Sequence, residues 1–335
     1  MENLVNSSPL ILVLVFLVIG FAFLMKGADF FVEGSSSIAK RLKVPPIIIG
    51  LTIVAMGTSL PETAVSVTAS LVNNNELAVS NVVGSNIFNL MVVVGVCSIL
   101  TPILVQKETI KRDIPFSMIC AFLLLGLGIL TVGDKSGMTL GHLDGMILLG
   151  FFAGYIVAMI QSAMKARAAG KNVEIEGIEE LEEEIGILSW PKSILFIVGG
   201  ALAIAFGGDL TVDAASRIAI DLGMSQTLVG LTIVSIGTSL PELVTSVVAA
   251  RKNEVDMAVG NAVGSNIFNI LMVLGIASAI NPVALIRENI IDIVILIVFS
   301  LIVWIYAATK RKISRKEGIS MVCLYLIYAG YIIWR

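Results

Sequence analysis

A pattern of polar and small residues in this chain returns 180 positions later, and this internal repeat limits the possible folds more than any other feature. Residues 50–62 read GLTIVAMGTSLPE, and residues 230–242 read GLTIVSIGTSLPE. Residues 84–89 and residues 264–269 both read GSNIFN. Packing of small residues would not by itself reproduce polar residues at one fixed spacing. The chain is therefore predicted to consist of two homologous halves.

Apolar segments of about 18 residues or more, long enough to span a bilayer, recur from one end of the chain to the other. Hydrophobic residues make up 57% of the chain and charged residues 14%, whereas a soluble domain carries roughly 25% charged residues. The first segment lacks a basic flank and a small-residue cleavage site, which favours a spanning helix over a signal peptide. The sequence thus predicts an all-α integral membrane protein with ten transmembrane helices. The predicted spans are 9–33, 45–72, 77–100, 113–133, 143–165, 191–215, 225–250, 255–280, 289–309 and 317–334.

The ten predicted helices form two groups of five around one polar segment. Residues 1–164 are the first five-helix repeat, residues 165–188 a cytoplasmic linker, and residues 189–335 the second repeat. Because each half has an odd number of helices, the second half enters the membrane in the opposite direction, so the repeats are inverted. The acidic run 174–184 lacks the alternating ligands and central glycine of an EF-hand loop, and is predicted to be a solvated linker or short surface helix.

The distribution of Lys and Arg predicts the orientation of the chain in a plasma membrane. With the N-terminus outside, only Lys135, Arg217, Arg287 and Arg335 lie on the outer side, and most of the other basic residues face the cytoplasm. The net charge of −3 gives no basic footprint for nucleic acid. The lipid bilayer is the expected environment, and the sequence indicates no obligate protein partner. Inverted repeats with Gly- and Pro-interrupted helices in matching positions are typical of secondary transporters.

Glu62 and Glu242 lie near the middle of two predicted spans. A carboxylate at that depth costs several kcal/mol unless it faces a polar cavity or a partner, so both are predicted to be functional. The alternative is a protonated or hydrogen-bonded structural acid. Because both acids belong to duplicated GTSLPE motifs, the functional interpretation is favoured.

The residues before each glutamate supply further oxygen ligands. Thr58 and Ser59 precede Glu62 by four and three residues, so the three side chains share one helix face. Pro61 lacks an N–H and clashes with the carbonyl four residues earlier, which can free nearby carbonyls such as that of Ala55. The second half repeats the arrangement with Ser235 (carbonyl), Thr238, Ser239 and Glu242.

The GSNIFN motifs add two pairs of polar side chains. Ser85 and Asn89 are four residues apart, as are Ser265 and Asn269, so each pair shares a helix face. Hydroxyl, amide, carbonyl and carboxylate oxygens suit hard cations such as Ca²⁺ and Na⁺, whereas Zn²⁺ or copper would favour His or Cys. The alternative for the Ser, Thr and Asn residues is hydrogen bonding between helices. Ca²⁺ and Na⁺ would be substrates, and no cofactor is expected.

The paired GTSLPE and GSNIFN motifs resemble the α-repeats of the sodium/calcium exchangers in the calcium/cation antiporter superfamily, and the short prokaryotic members most closely. The resemblance covers nearly the whole chain. It implies exchange of one Ca²⁺ for about three Na⁺ by alternating access, with the first and sixth helices sliding across the others. It also implies a set of metal ligands formed by Ala55, Thr58, Ser59, Glu62, Ser85, Asn89, Ser235, Thr238, Ser239, Glu242, Ser265 and Asn269.

This chain departs from the family pattern at one position of the implied site. Many members carry an aspartate where this chain has Asn269, and potassium-dependent members carry one at the position of Asn89 as well. Two carboxylates neutralise one Ca²⁺ or two Na⁺, so a third Na⁺ would leave the site positive. The missing acids argue against potassium co-transport.

Three other functions remain as alternatives. A proton-coupled Ca²⁺ antiporter would use the same glutamates as proton carriers, and a cation channel would need no counter-ion. An intramembrane hydrolase is disfavoured because no motif offers a nucleophile beside a histidine. Outside the motifs, Asp29 and Asp209 are predicted to bond across helices and His142 to be incidental. Cys97, Cys120 and Cys323 are predicted to be buried.

Overall fold

The structure, a computed structural model, describes residues 2–71, 75–129, 138–168, 187–224, 233 and 235–334. Helices make up most of these residues. The α-helices are α1 (Glu2–Asn6), α2 (Leu10–Leu42), α3 (Pro46–Ile49), α4 (Ala55–Thr58), α5 (Leu60–Leu71), α6 (Asn75–Phe88), α7 (Val94–Leu100), α8 (Ile114–Ile129), α9 (His142–Ala168), α10 (Trp190–Asp221), α11 (Ser235–Gly237), α12 (Leu240–Arg251), α13 (Val255–Phe268), α14 (Leu274–Ile280), α15 (Arg287–Lys310) and α16 (Arg315–Trp334).

Eight helical segments of the described chain are long and apolar enough to span a bilayer, and α3–α4 with α5 make a ninth that is bent by 49°. This confirms a helical multi-span membrane protein. The eight are Leu10–Leu42, Ala78–Leu100, Thr109–Ile129, His142–Ala168, Trp190–Asp221, Val255–Ile280, Arg287–Lys310 and Arg315–Trp334. The predicted span 225–250 is described mainly from residue 235 onward, and most of the linker lies outside the described residues. Ten helices and inverted repeats therefore stay predictions.

Besides the helices, the described residues include four strands of two residues each, which the hydropathy pattern did not predict. β1 (Ile103–Leu104) pairs antiparallel with β4 (Lys312–Ile313), and β2 (Thr139–Leu140) pairs antiparallel with β3 (Val283–Ala284). β1 and β3 each follow a proline, at positions 102 and 282, which cannot continue the preceding helix. Pairing then satisfies backbone groups that the ended helices leave free.

Among the described residues, four short π-helical turns of five residues each interrupt the ladder of helical hydrogen bonds. They are Gly50–Val54, Asn89–Val93, Thr109–Asp113 and Asn269–Val273. Two of them begin at the asparagines of the predicted cation site, and π-turns occur frequently at functional sites. The break between α4 and α5 falls at Ser59, two residues before Pro61, which fits the predicted weakening of the ladder by that proline.

The helices that carry the motifs lie at the centre of the molecule. Ala78–Leu100 and Val255–Ile280 are largely buried by protein, whereas Leu10–Leu42 and Arg315–Trp334 keep most of their surface exposed. Cys97 and Cys120 are buried as predicted, but Cys323 is exposed. The prediction failed for Cys323 because α16 is peripheral and buries only one of its faces.

The two longest helices, α2 and α10, pack closely on each other through glycines. A Cβ placed on Gly27 would lie 3.0 Å from the Gly200 carbonyl oxygen, and a Cβ on Gly207 would lie 2.7 Å from the Gly20 carbonyl oxygen. Such close approach of backbones is the usual way in which small residues join membrane helices. The pair lies beside the broken helix, because the ring of Phe31 on α2 packs against Gly57.

Candidate cation site

The two glutamates are fully buried, and each is bonded to a serine of the other half. Ser59 Oγ donates to Glu242 Oε1 at 2.9 Å, and Ser239 Oγ donates to Glu62 Oε1 at 3.3 Å. Ser265 Oγ lies 3.5 Å from the same oxygen of Glu242. The fold thus brings the two GTSLPE motifs together, although they are 180 residues apart.

The break in each motif helix explains why the carboxylates can lie so deep. Glu62 lies in the first turn of α5 and Glu242 in the first turn of α12. The free N–H groups and the dipole of a helix N-terminus favour a negative charge there. Each glutamate therefore lies at the positive, N-terminal end of its own helix.

The two threonines also bond across the halves. Thr58 Oγ1 donates to Asn261 Oδ1 at 3.0 Å, and Thr238 Oγ1 donates to Asn81 Oδ1 at 3.3 Å. Thr58 is buried, and Thr238 is partly buried. Each threonine is thus paired with an asparagine of the opposite half, and neither asparagine was among the predicted ligands.

The asparagines of the GSNIFN motifs form a reciprocal pair of bonds. Asn89 Nδ2 donates to Asn266 Oδ1 at 3.2 Å, and Asn269 Nδ2 donates to Asn86 Oδ1 at 3.1 Å. Asn86 and Asn266 also donate to each other's backbone carbonyl at 3.1 Å. Because the Nδ2 groups of Asn89 and Asn269 donate these bonds, the Oδ1 atoms of the same two residues remain as acceptors.

Several buried oxygens of the predicted ligands have no hydrogen-bond partner among the described residues. They are Glu62 Oε2, Ser85 Oγ, Asn89 Oδ1, Glu242 Oε2 and Asn269 Oδ1. A buried polar group without a partner costs about 1–3 kcal/mol, and more when it is charged. Oxygens of this kind are the ligands that Ca²⁺ takes in proteins. The chemistry of these oxygens therefore suits a hard cation.

The two predicted backbone ligands differ between the halves. The Ala55 carbonyl accepts the N–H of Ser59 at 3.1 Å, whereas Ser239 donates its N–H to the Ile236 carbonyl and not to that of Ser235. The side chain of Ser235 lies outside the described residues. Elsewhere in the described chain, no group of three or more His, Cys, Asp or Glu residues could hold a metal ion.

A second layer of asparagines and serines was missed in the sequence. Asn81 Nδ2 donates to Ser66 Oγ at 3.1 Å, and Asn261 Nδ2 donates to Ser246 Oγ at 2.9 Å. Each residue type recurs at the spacing of the repeat, so a search for every polar residue conserved between the halves would have found them. All four lie outside the GTSLPE and GSNIFN motifs, which hold the densest polar residues.

The polar residues outside the motifs lie in other contacts. Asp29 on α2 forms ion pairs with Lys252 Nζ at 3.5 Å and with Lys26 Nζ at 3.7 Å, and its backbone carbonyl accepts a hydrogen bond from Lys252 Nζ at 3.0 Å. His142 Nδ1 lies 2.9 Å from the Ala279 carbonyl oxygen. For Asp29 this agrees with the predicted bond between helices.

Comparison with known proteins identifies the family. The family model for the sodium/calcium exchanger protein matches residues 12–161 and 192–334. The putative antiporter CaxA of Alkalimonas amylolytica is 38% identical over 94% of this chain and 96% of its own length. The sodium/calcium exchanger MaX1 of Methanosarcina acetivorans is 33% identical over 93% and 96%. A solved structure of the sodium-calcium exchanger NCX_Mj superposes with a TM-score of 0.79 at 31% identity, covering 96% of this chain and 99% of that one. The chain is therefore a membrane transporter, not an enzyme, and belongs to the sodium/calcium exchanger family.

Proposed function

We propose that the protein exchanges Ca²⁺ for Na⁺ across the membrane, and that the two ions occupy the same site in turn. The observation that carries the proposal is the group of buried oxygens without partners around Glu62 and Glu242. Two carboxylates supply two negative charges, which one Ca²⁺ or two Na⁺ would neutralise. Because the same oxygens would bind either ion, occupancy by one excludes the other, and this exclusion couples the two gradients.

The proposed ligands are those given by the motifs. The carboxylates of Glu62 and Glu242 would neutralise the ion, and the hydroxyl, amide and carbonyl oxygens would complete its coordination. Ser59 and Ser239 now donate to the glutamates, and they could turn their lone pairs to the ion once it binds the carboxylates. The names of MaX1 and of the solved NCX_Mj structure give sodium and calcium as the ions of those relatives.

Alternating access would follow from movement of α2 and α10 relative to the motif helices. These two helices pack on each other through glycines and lie at the periphery, so they can move as a pair. With the N-terminus outside and the two halves inverted, movement in one direction would open the site to the cytoplasm and movement in the other to the exterior. If three Na⁺ exchange for one Ca²⁺, one charge crosses per cycle, which is worth about 2.3 kcal/mol per 100 mV.

Flux measurements on the purified protein in proteoliposomes test the proposal. An outward Na⁺ gradient should drive ⁴⁵Ca²⁺ uptake, and Glu62→Gln or Glu242→Gln should abolish it. Glu288→Gln, at an exposed glutamate near the start of α15, is the matched control and should retain uptake. Uptake that ignores Na⁺ but follows a pH gradient would show proton coupling instead. Full uptake by either buried-site variant would refute the assigned role of its glutamate.

A further inference from the structure

The two asparagines that contact the site threonines are themselves held in fixed orientations. Asn261 Nδ2 donates to Ser246 Oγ at 2.9 Å and to the backbone carbonyl of Glu242 at 3.3 Å. A carbonyl can only accept, so the nitrogen of the amide must face Glu242 and the oxygen must face Thr58. Asn81 occupies the matching position of the first half, and its Nδ2 donates to Ser66 Oγ, the counterpart of Ser246, while its Oδ1 accepts from Thr238.

The direction of a threonine proton decides whether its oxygen can bind a cation. A hydroxyl has one proton and two lone pairs, and only the lone pairs can face a positive ion. Thr58 Oγ1 also lies 3.2 Å from the Val54 carbonyl and 3.4 Å from the Ala55 carbonyl. Without Asn261, the Thr58 hydroxyl would donate its hydrogen bond to one of these carbonyls. The Ala55 carbonyl is itself a proposed ligand, so that bond would compete with the ion.

We propose that Asn261 and Asn81 are positioning residues for cation binding, and that each serves the threonine of the opposite half. Asn261 Oδ1 accepts the hydrogen bond of the Thr58 hydroxyl, and Asn81 Oδ1 accepts that of the Thr238 hydroxyl, so that both threonine oxygens present lone pairs to the ion. Neither asparagine touches the ion in this scheme. The inference rests on the proposed function, because it assumes that Ca²⁺ or Na⁺ binds at these threonines.

The crossed arrangement predicts which pairs of substitutions interact. Asn261→Leu and Thr58→Val remove the two ends of one bond, so the double variant should bind Ca²⁺ no more weakly than the weaker of the two single variants. Asn81→Leu and Thr58→Val affect two different bonds, so their effects should multiply. Loss of one such bond should weaken Ca²⁺ binding by about tenfold, and loss of two by about a hundredfold.

Calcium-dependent thermal stabilisation of the purified full-length protein measures binding without requiring transport. The four single variants are Asn261→Leu, Asn81→Leu, Thr58→Val and Thr238→Val. Each asparagine variant is also combined with each threonine variant, and all eight proteins are titrated with Ca²⁺ and again with Na⁺. Non-additive effects confined to Thr58 with Asn261 and to Thr238 with Asn81 would support the inference. Additive effects in these two pairs, or equal coupling in all four combinations, would overturn it. A purely structural role would lower the melting temperature without producing this pattern.

Smaller substitutions keep the test decisive if the leucine variants do not fold. Ser66→Ala removes the acceptor of Asn81 Nδ2 with little change in volume, and its effect on Ca²⁺ binding should couple to Thr238→Val but not to Thr58→Val. The opposite coupling, or none, would overturn the inference. If the unsubstituted protein shows no stabilisation by Ca²⁺, the proposed function fails as well. If it is stabilised but the crossed coupling is missing, only the positioning role fails.

Discussion

Replacing Gly200 by alanine should separate α2 from α10 and destabilise the protein. The added Cβ would lie 2.7 Å from Phe31 N, 2.8 Å from the Gly27 carbonyl oxygen and 2.9 Å from Phe31 Cα. Favourable contacts between such atoms lie near 3.5–4.0 Å, so the two helices would have to move apart by roughly 0.5–1 Å. Overpacking of this kind costs about 1–3 kcal/mol. Phe31 itself packs on Gly57, so the displacement should also reach the broken motif helix.

The neighbouring glycine provides a matched control. Gly199 is exposed on the same helix, and a Cβ placed there meets no atom of the described residues within 4 Å. Either substitution gains the same helix propensity, about 1 kcal/mol, so the difference between Gly200→Ala and Gly199→Ala isolates the packing cost. Thermal unfolding in detergent should place Gly200→Ala below Gly199→Ala by about 2–4 °C for each kcal/mol. Equal melting temperatures would refute the close packing of the two helices.

Three further outcomes are expected. Tyr155→Phe should lower the free energy of unfolding by about 1 kcal/mol in thermal or denaturant unfolding, because the buried Tyr155 hydroxyl donates to the Leu51 carbonyl at 3.0 Å. Lys252→Val, with Arg251→Val as the exposed control, should lower the free energy of unfolding by at most about 1 kcal/mol in thermal unfolding, because it removes the half-exposed ion pair with Asp29. Ca²⁺ at a hundred times its Kd should add about 2.7 kcal/mol to the free energy of unfolding, and a glutamine in place of either buried glutamate should remove this gain.

The hydropathy pattern was sufficient to predict the helical membrane architecture, but not the lengths of the helices. α2 was predicted to end at residue 33 and ends at Leu42, and α10 was predicted to end at 215 and ends at Asp221. Both extensions contain serine and charged residues, which lower the mean hydropathy. In α2 the extension makes contacts that hydropathy does not record, because Ser36 donates to Glu254 and the N–H of Leu188 donates to Ser37 Oγ. The short strands were missed for a similar reason, since pairing between distant loops leaves no periodic signal.

Within the site, the residue types were predictable but their partners were not. The spacing of Ser59 and Glu62 suggested that these two side chains of one helix act together. In the structure, Ser59 instead donates to Glu242, and the serine bonded to Glu62 is Ser239. The break at each proline ends the regular helix face on which the spacing argument depended. Partners from opposite halves are a property of how the repeats meet, which a pattern within one helix cannot contain.

The match between the halves at the site contrasts with their differences at the periphery. Two identical inverted halves would give the outward-open and inward-open states the same energy, because exchanging the halves would exchange the states. The contact of Lys252 with Asp29 would break this equality, and the same turn carries Glu254, which accepts a hydrogen bond from Ser36 of α2. The matched positions of the first half are Val72 and Asn74, which carry no charge. Ion selectivity would thus be set by the duplicated residues, and the preference between the two states by residues that the halves do not share.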